Sequence, residues 1–220
     1  SVFMSTLEEH LSEDVAVILV IIGIVDGKPH VLLVHRSATP QEGKFALPGG
    51  KWKRTESLES SALQKLVQET GIENLYLEQL FTTTGLNQNA PSIAVAYFAL
   101  ADSNSVQLRN EEEWRPGWFA VESLPELAFN NNLVIAQAMS RIGAKLQYSN
   151  IAYSLLPDEF TLRQLQDVYE AIDTQPIDRR NFRKKMLASG LIEATGKTRR
   201  DGAHRPAQLY RFTSREAILI

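Results

Sequence analysis

The stretch LPGGKWKRTESLESSALQKLVQETGI, Leu47 to Ile72, decides how the N-terminal part of the chain folds. Pro48-Gly49-Gly50 dictates a turn in which the backbone can come close to a neighbour or a ligand. From Ser57 to Thr70, apolar residues recur at Leu58, Ala62 and Leu66, with a second row at Leu63 and Val67. That spacing predicts an amphipathic helix, and Gly71 supplies its stop. Positions 65, 68 and 69 fall three and four apart and share one face. A glycine turn running into a helix N-terminus also presents unpaired N–H groups, which suit an anionic group such as a phosphate.

Outward from this stretch the periodicity becomes that of strands. Val15 to Val25 is dense in Val and Ile, and after Asp26-Gly27-Lys28-Pro29 a second apolar run, Val31 to Val34, completes a predicted β-hairpin. Further strands are expected at Lys44 to Leu47, Leu75 to Thr83, Ile93 to Leu100 and Gly117 to Phe119. A helix set within a series of strands predicts a mixed sheet. Asn131 to Leu146 reads as one long helix with Leu133, Ala136, Ile142 and Leu146 among its apolar positions and Asn residues at its entry, placed to bridge to a second part.

With roughly 100 to 200 residues per domain, 220 residues suggest two domains, which we place at 4–149 and 150–220. Hydrophobic residues at 44% and charged residues at 22% exclude a disordered or fibrous chain. The lack of cysteine excludes a disulfide framework, a thiolate metal site and a cysteine nucleophile, and fits a cytoplasmic setting. The longest apolar run is Val15 to Val25, interrupted by Gly23, and a spanning helix needs about 20 residues, so no membrane span is expected. Ser1 to Phe3, ahead of Met4, lack the features of a signal peptide and read as a cloning remnant.

The net charge of −3 hides an asymmetry: residues 150–220 carry 12 Lys plus Arg against 9 acidic residues, and residues 1–149 carry 11 against 17. Pro176 to Arg215 concentrates eleven basic residues against three acidic ones, the pattern of a segment facing a polyanion. Thr161 is a predicted N-cap for a helix with Leu162, Leu165, Tyr169 and Ile172 on one face. Asp178 caps the next helix, which ends at Ser189-Gly190, and strands at Leu191 to Ala194 and Ala207 to Phe212 flank a basic loop, Lys197 to Arg205. Helix, turn, helix and wing is the order of a winged helix-turn-helix.

In such a fold the second helix enters the major groove, so its early residues Arg179, Arg180 and Asn181 are candidates for base contacts, with Arg183, Lys184 and Lys185 beside them. Phe182 and Met186 face the core. Thr161 and Gln164 on the preceding helix are candidate phosphate contacts, and Arg199, Arg200 and Arg205 place cations on the wing. A solvated charged loop is the other reading of that wing, and His204 is polar surface or a phosphate contact.

Gly50, Glu56, Leu66, Glu69, Gly71 and Ile72, preceded by Leu47-Pro48-Gly49-Gly50, fall at the spacing of the Nudix box, and the order of strands around them resembles the Nudix sandwich. In Nudix hydrolases the box glutamates hold Mg²⁺ or a similar hard cation that neutralises a diphosphate and aligns a water. Here Gln64, Lys65 and Gln68 replace the box Arg and two of its Glu residues. Where the family carries four carboxylates, positions 56, 65, 68 and 69 of this chain carry a net −1. An ammonium beside a divalent ion is costly, so we expect no metal site and no catalytic residues. The shape of a nucleotide cradle remains, with Arg36, Phe45, Gly49, Gly50, Glu56 and Glu69 as candidate ligand-binding residues. Arg36 is a phosphate or ribose partner or else a solvated strand-end group, Phe45 stacks on a base or packs in the core, and Asn87 to Asn89 line the ligand mouth or form a plain polar loop.

The degenerate box followed by Leu155-Leu156-Pro157, Phe160-Thr161-Leu162, Leu165-Gln166, Tyr169-Glu170, Arg180-Asn181-Phe182-Arg183-Lys184-Lys185-Met186 and Arg205-Pro206-Ala207 resembles the NrtR family of Nudix-related transcriptional regulators of NAD metabolism. That resemblance implies an α+β chain: a Nudix α/β/α sandwich that senses a ligand, followed by a winged helix-turn-helix that binds DNA. It further implies a dimeric bacterial repressor of NAD biosynthesis or salvage genes, binding palindromic operators in double-stranded DNA. ADP-ribose or a related NAD metabolite would be the effector, with no cofactor required. Two readings compete with it. One is an active Nudix pyrophosphohydrolase of ADP-ribose with an accessory basic domain; the other is a dimerisation scaffold whose winged helix binds protein.

Overall fold

The computed structural model describes residues 15–37, 41–84, 92–109, 111 and 115–220. The expected hairpin closes through Asp26 and Gly27, whose φ angles of 50° and 75° both lie in the left-handed region. Such a two-residue turn matches the twist of its strands, and Val25 pairs with Lys28 across it. Its arms are β1 (Val15–Val25) and β2 (Lys28–His35). The remaining strands of the large sheet are β3 (Phe45–Ala46), β4 (Gly49–Lys51), β5 (Tyr76–Thr84), β6 (Ile93–Leu100) and β7 (Pro116–Ala120).

Their order is β3-β2-β1-β6-β5, with β4 on β1 and β7 on β2. β1 and β6 run parallel and the other pairings are antiparallel, giving the expected mixed sheet. The short strand β4 was not expected, because three residues containing two glycines carry no strand pattern.

Alternate residues of the central strands enter two different cores, as a period of two requires. Val17, Leu19 and Ile21 of β1 and Val95, Tyr97 and Ala99 of β6 meet Ala62 and Leu66 of helix α1 (Leu58–Thr70). On the other face, Val20, Ile22, Ala96, Phe98 and Leu100 meet Val134, Ile135, Ala138 and Ile142 of helix α2 (Asn131–Leu146). A sheet between two helical layers is the anticipated sandwich.

The apolar faces are narrower than the sequence suggested. Leu63 and Val67 are exposed, because α1 touches the sheet along the Leu58–Ala62–Leu66 row alone. Leu133 and Ala136 also point outward, since the ridge facing the sheet runs through Val134, Ile135, Ala138 and Ile142. Asn131 does not cap its helix: its Oδ1 accepts the Leu47 N–H at 3.0 Å, tying the start of α2 to the strand before the glycine turn.

The C-terminal part contains α3 (Leu162–Asp173), α4 (Arg179–Ala188) and a sheet of β8 (Phe160–Thr161), β10 (Ala207–Phe212) and β9 (Ile192–Arg199), in that order. The structure departs from expectation at two points. β9 continues to Arg199 through the segment expected to be loop, since Thr198 pairs with Gln208 and Arg199 with Ala207. Gly196, at φ 79°, and a register shift between Gln208 and Tyr210 let the strand bend there. β8 was also missed, being only two residues long.

The two parts share one core. Leu156, Phe160, Leu165, Tyr169, Met186 and Phe212 belong to the same apolar cluster as Val134, Phe98 and Leu100. Between them the Ser154 hydroxyl accepts the Tyr76 N–H at 3.0 Å and donates to the Leu100 carbonyl, bridging the ends of β5 and β6. Asn150 clasps the C-terminal tail: its Nδ2 donates to the carbonyls of Ser214 (3.1 Å) and Glu216 (2.8 Å), and its Oδ1 accepts the Ile218 N–H at 2.8 Å.

Candidate functional site

Where β4 leaves β1 the backbones nearly touch. A Cβ on Gly49 would stand 2.6 Å from the Val17 carbonyl oxygen, so only glycine permits that pairing. Gly50 meets nothing within 4 Å at the same construction and instead borders open space. That space is a cleft of about 440 Å³. Val17, Gly50, Lys51 and Lys53 line its strand side; Glu56, Ser61, Gln64, Lys65 and Gln68 line its helix side. Ser57 caps α1 by accepting the Ser60 N–H at 3.0 Å, and Gly71, at φ 71°, ends it as expected.

The two surviving box carboxylates have different surroundings. Glu56 is half-buried, and its Oε2 accepts the Ser61 hydroxyl at 3.1 Å. Glu69 is fully buried, with Lys65 Nζ and Arg109 Nη1 each 3.3 Å from its Oε1. Arg109 also bonds Glu111 at 2.9 Å. Burial works against the Arg109 charge, but the hydrogen bonds and attraction of Glu111 and Glu69 outweigh it and hold its pKa above the ordinary value.

A hard divalent cation needs six or more oxygen ligands or ordered waters around a carboxylate set. Here one box carboxylate is already neutralised by two side-chain cations, and one of them, Lys65, also lines the cleft. The residues present do not fit such an ion. Among the described residues, no group of three or more His, Asp or Glu side chains could hold a metal.

The expected ligand residues therefore divide. Gly50 and Glu56 line the cleft, and Gly49, which does not, lies against Val17 and Ile18. Glu69 is not among the cleft-lining residues; it is enclosed and ion-paired to Lys65 and Arg109. Arg36 and Phe45 are not among the cleft-lining residues. The Arg36 guanidinium stacks 4.7 Å over the Phe129 ring, and Phe45 packs against His35 (5.1 Å) and Phe119 (4.8 Å). Asn87 to Asn89 lie outside the described residues. The sequence reading overlooked Lys51 and Lys53, although a Lys-Trp-Lys directly after paired glycines was a visible sign. Arg109 had no local sign, since it lies 40 residues from Glu69.

In the winged part, Asp178 caps α4 by accepting the Asn181 N–H at 2.8 Å. Phe182 and Met186 face inward, Phe182 edge-on to Tyr169 at 5.3 Å, and burial pushes the Tyr169 phenol up to about 12. Arg179, Arg180, Asn181, Arg183, Lys184 and Lys185 are all exposed. The turn before α4 is fixed by Glu170, whose Oε1 accepts the Ile177 N–H (3.1 Å) and the Gln166 amide (2.9 Å).

Three of the expected DNA contacts, Thr161, Gln164 and Arg199, have partners within the chain. Thr161 is buried, and its hydroxyl caps α3 by accepting the Gln164 N–H at 3.2 Å. The Gln164 Oε1 accepts both the Thr161 N–H (2.9 Å) and the Arg199 guanidinium (3.0 Å). Gln164 and Arg199 thus fasten the wing to α3. Lys197 pairs with Glu159 at 2.8 Å, while Arg200 and Arg205 at the tip are exposed.

Residues 15–139 match the NUDIX domain, and residues 152–212 match the NrtR DNA-binding winged helix domain. The chain is 34% identical over 200 residues to the ADPR responsive transcriptional repressor NtrR of Acinetobacter baylyi, covering 88% of this chain and 80% of that protein. The crystal structure of Shewanella oneidensis NrtR complexed with a 27mer DNA superposes with a TM-score of 0.80 at 32% identity, over 90% of this chain and 93% of that one. The NUDIX domain of the same S. oneidensis protein, complexed with ADP ribose, matches at a TM-score of 0.53 and 31% identity, over 61% of this chain and 92% of that one.

Proposed function

The chain belongs to the NrtR family of Nudix-linked winged-helix proteins, and from that premise we propose that it is a transcriptional repressor that releases its DNA on binding ADP-ribose. The genes controlled would be those of NAD biosynthesis or salvage. The observation that carries this reading is one pairing within one chain: a Nudix helix whose buried acid is held by cations, and a second helix whose cations all face solvent.

On this reading the Nudix domain is a sensor without efficient hydrolysis. The nucleotide diphosphate occupies the cleft beside Gly50, Glu56 and Lys65. The chain acts as a homodimer on a palindromic operator, α4 of each copy entering one half-site. Arg180, Asn181 and Lys184 meet bases or phosphates, flanked by Arg179, Arg183 and Lys185, with Arg200 and Arg205 following the backbone beside the groove. ADP-ribose favours an arrangement in which the two α4 helices no longer match the half-sites. A tenfold loss of operator affinity needs only about 1.4 kcal/mol of differential binding.

The test combines anisotropy titration of labelled operator duplex with chromatography of the nucleotide after incubation with Mg²⁺. Release of DNA by intact ADP-ribose is expected. Absence of duplex binding, or conversion of ADP-ribose to adenosine monophosphate at a hydrolase rate, overturns the reading.

A further inference from the structure

Among the described residues, three lysines, Lys51, Lys53 and Lys65, and one carboxylate, Glu56, line the cleft. In a metal-dependent cradle the balance would be reversed, with acids holding a divalent ion that in turn holds the diphosphate. We propose that in this protein Lys65, supported by Lys53, takes the place of that ion and binds the diphosphate directly, so that divalent metal competes with the cleft for the ligand instead of assisting it. The inference rests on the sensor reading above and deepens it.

The geometry supports the exchange at three points. Lys65 and Glu69 are one turn apart on α1 with 3.3 Å between Nζ and Oε1, so the ammonium is anchored where the buried acid needs a positive neighbour. An ammonium carries three donors and serves Glu69 and a ligand oxygen together. Arg109, 3.3 Å from the same Glu69 oxygen, shares that acid with Lys65 and fixes it from the side. Gln64 and Gln68, which line the same wall, contribute amide donors without charge. A free diphosphate therefore meets fixed cations, whereas a Mg²⁺-complexed one arrives with much of its charge already cancelled.

Calorimetry on the full chain tests this, with ADP-ribose titrated first in EDTA and then in millimolar Mg²⁺. Binding in EDTA that is equal to or tighter than binding in Mg²⁺ is expected, and any tightening on adding Mg²⁺ overturns the proposal. Lys65→Met and Lys53→Gln should each weaken binding in EDTA, Lys65→Met by at least about tenfold. Lys53→Gln covers the case in which Lys65→Met fails to fold, and unchanged affinity in both variants overturns the proposal. Inorganic pyrophosphate separates this inference from the effector reading. If ADP-ribose does not bind but pyrophosphate binds in EDTA and loses affinity in the variants, the inference holds and the effector reading falls. If neither binds in EDTA, the inference falls.

Discussion

Lys65 Nζ and Glu69 Oε1 stand 3.3 Å apart on the inner side of α1, and the carboxylate between them and Arg109 has no contact with solvent. An acid so enclosed is tolerable only while its cations stay in place. Removing one partner of a buried pair typically destabilises a protein by about 3–5 kcal/mol, because the remaining charge is left without compensation. Glu69→Ala leaves Arg109 on Glu111 and Lys65 at the cleft, so we expect it to lower unfolding free energy by less than that, about 1–3 kcal/mol. Glu126→Ala, which breaks the exposed pair of Lys44 and Glu126, should change it by less than about 1 kcal/mol. Urea denaturation of both variants checks the contrast, and equal small losses would show that the α1 acid is solvated after all.

DNA affinity should depend on salt as phosphate contacts dictate. If each subunit neutralises roughly four phosphates, the dimer's log affinity falls against log salt with a slope near −7, at about 0.9 per contact. Lys184→Ala, on the exposed face of α4, should make the slope shallower by about 1 for each phosphate that the lysine neutralises. Lys197→Ala should change it less, because that lysine is held by Glu159 at 2.8 Å. Anisotropy titrations across a salt series separate the two.

The turn that aims α4 should weaken in acid. Hydrogen bonds from the Gln166 amide and the Ile177 N–H hold the Glu170 carboxyl below its ordinary value. A carboxyl depressed in the folded state stabilises the fold above its unfolded pKa, and that contribution disappears as pH falls through the folded one. Glu170→Gln removes the titrating charge, so the stability difference between the parent and this variant should shrink from neutral pH toward about pH 3. A constant difference over that range would show that the turn does not depend on the ionised acid.

Ser154→Ala should uncouple the strands from the junction. The substitution leaves the Tyr76 N–H without the oxygen it now meets at 3.0 Å, and a buried donor so orphaned costs about 1–3 kcal/mol. Faster amide exchange at Tyr76, beyond that of the neighbouring β5 residues, is the expected signature. Unaltered exchange there would assign the serine no such role.

The long apolar runs, the Asp26-Gly27 turn, the Gly71 stop and the caps at Thr161 and Asp178 were legible because each rests on neighbours in sequence. Burial direction was less so. Leu133 lies in an apolar helix, yet its face is decided by where the sheet sits, which no local pattern encodes. In the cleft, the helix wall was legible, whereas the paired glycines, expected as a turn, form strand β4. Arg109 and the Gln164–Arg199 contact depend on chain segments brought together only by folding, 40 and 35 residues apart. Thr161 shows a different limit: a hydroxyl can serve as a cap or as a phosphate contact, and only its burial decides between them.

The unbroken apolar seam from the large sheet through Ile151 to Phe212 welds the Nudix domain to the winged helix. To swing one against the other within one copy would mean prising apart packed side chains, and interiors this dense resist gradual deformation. If the chain pairs as proposed, movement is easier where the two copies meet. A slight tilt there, carried along a stiff body, displaces one reading helix from its twin by more than the groove spacing tolerates, so the metabolite's message would be written in the gap between subunits and not inside either of them.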